Sequence, residues 1–193
     1  MIEDSRAGFQ PHGRPPVTTG IPAELLLALF LLAAIIPLGM AAWTSGSSDH
    51  VPTELGAASA ILAATLLYLQ FLSSGRFEAL SGKIGIDRTM GFHRIAGLAI
   101  LIFAFVHPFS YISGTLLDNP AASASRLYAL VTSPRLRSGV IAIALLTVLI
   151  GFALIRTRRF VRYELWRAAH GPIALVAGGL TLHHAIRAGT YSA

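Results

Sequence analysis

Five stretches without a single Asp, Glu, Lys or Arg set the terms on which this chain can fold: Leu25–Trp43, Leu55–Leu72, Ile95–Ile112, Ser138–Ile155 and Ala168–Ile186, each 18 or 19 residues long. A helix rising about 1.5 Å per residue needs roughly 20 residues to cross a hydrocarbon core of about 30 Å. The expected fold class is therefore all-α, a polytopic membrane helical bundle with five transmembrane helices, at about 22–43, 55–73, 93–112, 138–156 and 165–187. Only 12% of residues are charged and mean hydropathy is +0.65, which sets the chain apart from an ordinary soluble domain. Five spans and their loops use all 193 residues, leaving no room for a soluble catalytic domain of about 100 residues. No Gly-rich phosphate loop follows a strand, so nucleotide chemistry must come from elsewhere. The absence of cysteine excludes disulfides, thiolate nucleophiles, cysteine-ligated iron–sulfur clusters and covalent haem attachment.

The net charge of +6 raises the question of a nucleic-acid partner, but the distribution of Lys and Arg answers it differently. With the N-terminus in the cytoplasm, the inner segments carry Arg6, Arg14, Arg76, Lys83, Arg88, Arg94, Arg156, Arg158, Arg159, Arg162 and Arg167. The outer ones carry Arg126, Arg135, Arg137 and Arg187. Eleven against four favours an N-inside orientation, with the lipid bilayer as partner and no nucleic acid. The cluster Arg156–Arg162 is a topogenic signal on the same grounds. Residues 1–20, with Pro11, Pro15 and Pro16, form a polar, disordered cytoplasmic tail; residues 21–193 form the membrane domain. The second outer loop, Ser113–Arg137, with Gly114, Asn119-Pro120 and Pro134, is expected to be the longest irregular stretch between spans. Trp43, Trp166 and Tyr191 sit where an aromatic belt anchors a bundle.

Seven histidines remain to be explained. His12 in the tail and His50 in an outer loop read as solvated loop residues. The other five fall on two spans: His93 and His107 on the third, His170, His183 and His184 on the fifth. An ionisable group inside a span is costly and usually faces the bundle interior, so each is a candidate functional residue. His93 and His107 are 14 positions apart, about 21 Å along a helix and within about 40° of the same face. The fifth span repeats the spacing. If the two helices face one another, the residues form two facing pairs, one above the other, as bis-imidazole ligation of two b-type haems requires. A histidine-lined proton or metal pathway, and polar packing between helices, are the other readings open at this point. No Ser/His/Asp arrangement, zinc helix or paired carboxylate is present, and no catalytic residue is assigned.

The stretch Asp87-Arg88-Thr89-Met90-Gly91-Phe92-His93-Arg94-Ile95-Ala96-Gly97 with His107-Pro108, and the stretch Tyr163-Glu164-Leu165-Trp166-Arg167-Ala168-Ala169-His170-Gly171 with His183 downstream, resemble the ferric reductase-like transmembrane domain. Iron-chelate reductases, NADPH oxidases and related bacterial flavocytochromes share this domain. The resemblance covers roughly Ala57 to the C-terminus. It implies two b-type haems, with iron held by His93 and His170 on the inner side and by His107 and His183 on the outer side. Arg94, Arg167 and Arg187 are the candidate partners of haem propionates, or else snorkelling, topogenic arginines.

Helix geometry and resemblance part company at one position. A step of 13 residues turns about 140° out of alignment whereas 14 residues restore it, which selects His184; the family spacing selects His183. Pro172 and Gly178-Gly179 offer places for the helix to bend, so His183 is the expected ligand and His184 its alternative. Relatives with full reductase activity carry flavin- and nicotinamide-binding domains after the membrane part, whereas this sequence stops at Tyr191-Ser192-Ala193. FAD and NAD(P)H are thus expected only through a missing domain or a partner. The implied function is transmembrane electron transfer from a cytoplasmic flavin-bearing reductase domain or subunit to an outer acceptor such as ferric iron or dioxygen, in a bacterial inner or plasma membrane. The alternative is a stand-alone haem-binding subunit, like the one that serves periplasmic methionine sulfoxide reductase.

Overall fold

The computed structural model describes residues 22–45, 50–72, 84–116, 118–155 and 163–189. The tail at 1–20, the basic residues Arg76, Lys83, Arg156, Arg158, Arg159 and Arg162, and Tyr191 lie outside them. The described residues form six helices and no strand: α1 (Ala23–Ser45), α2 (Val51–Leu72), α3 (Ile86–Leu116), α4 (Pro120–Thr132), α5 (Arg137–Ile155) and α6 (Tyr163–Gly189). Acidic residues in the first turns of α1, α2, α3 and α6 (Glu24, Glu54, Asp87 and Glu164) complement the positive end of each helix dipole, and Arg187 does the converse at the end of α6.

By length and apolarity four helices qualify to cross a bilayer: α1, α2, α3 and α5. The expected fifth, α6, has the length, at 27 residues. It is not among the four because His170, His183, His184, Pro172 and four glycines dilute its apolar residues. The count of five is therefore four on this measure. Between 6 and 28% of each qualifying span is buried within the chain, so most of the apolar surface faces outward, an arrangement suited to lipid rather than water.

Two further expectations are revised. α3 starts at Ile86 rather than near residue 93, because the helix extends beyond the uncharged run into a polar first turn where Asp87 and Arg88 are exposed. Gly85, at φ 87°, turns the chain into it. The loop expected to be irregular contains α4. Its start is capped by Asn119, whose side chain accepts from the Ala122 N–H at 3.0 Å, with Pro120 in the first turn. Buried Ser123 meets Thr115 of α3 hydroxyl to hydroxyl at 2.9 Å, which fastens the short helix to the end of α3. Asn119→Ala is expected to weaken α4 by about 1 kcal/mol. Amide exchange in its first turn should quicken about 5-fold, since 1 kcal/mol corresponds to that factor, with α3 and α5 unaffected.

α3 and α6 run parallel; α2 and α5 run antiparallel to them. The core cluster takes one buried residue from each of the four: Leu67, Ile100, Leu146 and Ala177. Ile100 and Ala177, 2% and 0% exposed, each lie seven residues from the two histidines that flank them on their own helix, His93 and His107, and His170 and His184. Seven residues return a helix to nearly the same face, about 10.5 Å further on. The apolar core thus separates two levels of imidazoles.

Candidate functional site

The two levels are built alike. At one end of the bundle the His93 and His170 rings stand 6.2 Å apart, centre to centre, with their planes at 56°. At the other end His107 and His184 stand 6.3 Å apart, at 73°. All four side chains are half-buried. His183 is exposed, and the ring facing His107 is that of His184.

The helix explains this choice. α6 runs as uninterrupted α-helix through Pro172 and Gly178-Gly179, so the bend that would rotate His183 into line does not form. A straight helix then repeats on α6 the 14-residue step that links His93 to His107 on α3.

The distances constrain what each pair can do. Ring atoms of an imidazole lie about 1.1 Å from its centre, given ring bonds near 1.33 Å. Nitrogens of two rings held 6.2–6.3 Å apart therefore come no closer than about 4 Å, beyond hydrogen-bonding range. At that closest approach the gap would equal two metal–imidazole bonds of about 2.0 Å placed end to end. Among the described residues no three His, Cys, Asp or Glu side chains converge. Among the described residues each level offers two imidazoles, fewer than the three or four protein ligands of a zinc site.

Hydrogen bonding prepares one ligand directly. His107 Nδ1 lies 2.9 Å from the Gly56 carbonyl oxygen on α2. A carbonyl only accepts, so Nδ1 carries the proton and Nε2 keeps its lone pair free. Tyr111, one turn further along α3, sets its ring edge against His107 at 5.4 Å. Among the described residues the buried Nδ1 atoms of His93 and His184 have no hydrogen-bond partner, and Ser138 Oγ, beside Gly139, is in the same condition. Buried polar atoms left in that state are costly in a finished core.

At the His93 level, buried Gln70 of α2 donates through Nε2 to the His93 carbonyl at 2.7 Å. Trp166, one turn before His170, lies 4.8 Å from it, ring centre to ring centre, so it packs on the candidate ligand and does more than anchor the bundle. Tyr68 donates its hydroxyl proton to the Gly178 carbonyl at 3.0 Å, tying α2 to α6. Arg94, Arg167 and Arg187 are exposed at the helix ends next to the histidines. His50 is exposed at the start of α2, and His12 lies outside the described residues.

Sequence reasoning did not single out Gly56, Gln70 or Gly139. Gly139 of α5 faces His184 so closely that a Cβ there would sit 2.8 Å from the ring. The available signal was spacing: Gly56, Ala63 and Gln70 recur every seven residues on α2, as the histidines and core residues do on α3 and α6.

An uncharacterized protein of Archaeoglobus fulgidus is 23% identical over 134 residues, covering 68% of this chain and 73% of that protein. No solved structure matches the chain. Residues 59–181 match the family described as ferric reductase like transmembrane component, a segment that holds His93, His107 and His170 and ends just before His183 and His184. Since the match spans well over half of an apolar, helix-built chain, this is an integral membrane protein that belongs to the ferric reductase like transmembrane component family.

Proposed function

We propose that the protein binds two b-type haems, one between His93 and His170 and one between His107 and His184, and moves single electrons across the membrane between them. The observation that carries this reading is the pair of matched imidazole gaps, 6.2 and 6.3 Å, on the same two helices. His93 with His170, and His107 with His184, would supply two imidazole ligands to each iron, and a haem macrocycle would supply the remaining coordination positions. When bound, such a group supplies a one-electron iron couple.

The chain's own residues do the rest. His107 is held in the ligating tautomer by Gly56, and the apolar faces of α3 and α6 exclude water from the ligands. Arg94, Arg167 and Arg187 provide cations at the ends where propionates would emerge. α6 crosses the bilayer as a fifth span, its histidines relieved of the burial penalty by ligation. Between the levels Leu67, Ile100, Leu146 and Ala177 form an apolar cluster, with Leu66, Leu101 and Leu145 packed around it. Protons need a chain of polar groups or water, whereas an electron does not. That layer favours an electron path over a histidine-lined proton or metal pathway.

Charge asymmetry orients the bundle with its N-terminus in the cytoplasm and the His93–His170 level on the cytoplasmic side of the membrane. Electrons enter there from a cytoplasmic flavin-bearing, NAD(P)H-fed domain or subunit drawn to the basic face. They leave from the other level to an outer acceptor, ferric iron or dioxygen, or a periplasmic reductase if the chain works as a stand-alone subunit. A dithionite-reduced minus oxidised spectrum of the detergent-purified protein, with total haem assayed per chain, tests the core of this reading. Low-spin b-type bands with two haems per chain are expected. A colourless protein after haem supplementation during expression overturns it.

A further inference from the structure

Two glycines on other helices meet the His107–His184 pair, Gly139 against the His184 ring and Gly56 through its carbonyl on His107. Gly139 of α5 has no side chain where the His184 ring stands: a Cβ at that position would lie 2.8 Å from Cε1 and Nδ1 and 2.9 Å from Cγ. Carbon atoms do not approach so closely, so any larger residue must displace the ring. Gly56 of α2 is similarly enclosed. Its Cβ would meet Ser110 Cβ at 3.2 Å, the His107 carbonyl oxygen at 3.3 Å and Tyr111 Cε2 at 3.3 Å. A side chain here would press on α3 and push back the α2 backbone whose carbonyl accepts the His107 Nδ1–H at 2.9 Å.

Nothing comparable surrounds every glycine in the bundle. A Cβ at Gly151, on the same helix as Gly139, would touch nothing within 4 Å, nor would one at Gly91, Gly171 or Gly179.

We propose that Gly56 and Gly139 are positioning residues that build the His107–His184 ligand pair. Gly139 admits the His184 ring into line and thereby fixes which of the two adjacent histidines on α6 serves. Gly56 supplies the carbonyl that sets the His107 tautomer and makes that imidazole a stronger electron donor to iron. The assignment rests on the di-haem reading and specifies how one of its two sites is made.

The test uses the full chain, purified in detergent after haem supplementation, with Gly139→Ala, Gly56→Ala and Gly151→Ala compared with the unaltered protein. Haem per chain is measured together with a potentiometric titration of the reduced b-type band. Gly151→Ala is expected to match the unaltered protein. Gly139→Ala should retain one haem with an unchanged midpoint and either lose the other or shift its midpoint and spin state. Gly56→Ala should retain both, with one midpoint raised, because a His107 imidazole that no longer shares its Nδ1 proton stabilises ferric iron less.

Two haems with unaltered midpoints in both variants would overturn the positioning role while leaving the di-haem function standing. So would loss of both haems in Gly139→Ala, or an equal effect of Gly151→Ala, since either marks general damage to packing. An unaltered protein without haem would overturn the function and this assignment together.

Discussion

Replacing His184 by alanine is expected to leave about one haem per chain, whereas replacing His183 leaves both. The two positions are adjacent, yet a helix separates neighbouring side chains by about 100°. On the uninterrupted α6 only His184 shares a face with His170 and Ala177. His183 is exposed, while the His184 ring stands 6.3 Å from that of His107 and against Gly139. Removing His184 leaves His107 with a free Nε2 and no opposing ligand, a site that would hold haem weakly and high-spin. Haem content and the low-spin band intensity of the two single variants decide the matter. Loss of haem from His183→Ala with full retention in His184→Ala would show that α6 rewinds in the membrane and that the 13-residue register applies.

That single register illustrates where sequence reasoning was sufficient and where it was not. The uncharged runs located the helices α1, α2, α3, α5 and α6, and for the first four the reason is that hydrocarbon forbids charge over a length fixed by bilayer thickness. Periodicity on α3 placed His93 and His107 on one face, since that inference needs only one helix and its pitch. The choice between His183 and His184 required knowing whether Pro172 and Gly178-Gly179 bend α6, which local sequence does not determine: proline is tolerated in a span when its neighbours take up the freed backbone groups. α4 escaped notice although Asn119-Pro120 is a helix-start pair, because the same two residues also signal a turn. Gly56, Gln70 and Gly139 were invisible for a different reason. Each acts on a histidine 23 or more residues distant, and such pairings arise only once α2 and α5 have packed on α3 and α6.

The His93–His170 level supplies the second large expected effect, and it is non-additive. On the proposed reading both residues serve one site, their ring centres being 6.2 Å apart, so either substitution would remove the same bis-imidazole arrangement. His93→Ala, His170→Ala and the double variant should each lose one haem of the two and keep the other with its midpoint unchanged, because the apolar layer around Ile100 and Ala177 separates the levels. In contrast, combining His170→Ala with His184→Ala, two positions on one helix but in different sites, should remove both haems. The contrast between these two double variants tests the pairing itself and not merely the need for histidine. If His93→Ala combined with His170→Ala lost both haems, or His170→Ala combined with His184→Ala kept one, the ligands would be paired along each helix or across the diagonal. The facing arrangement seen at both ends of the bundle would then not be the one that binds iron.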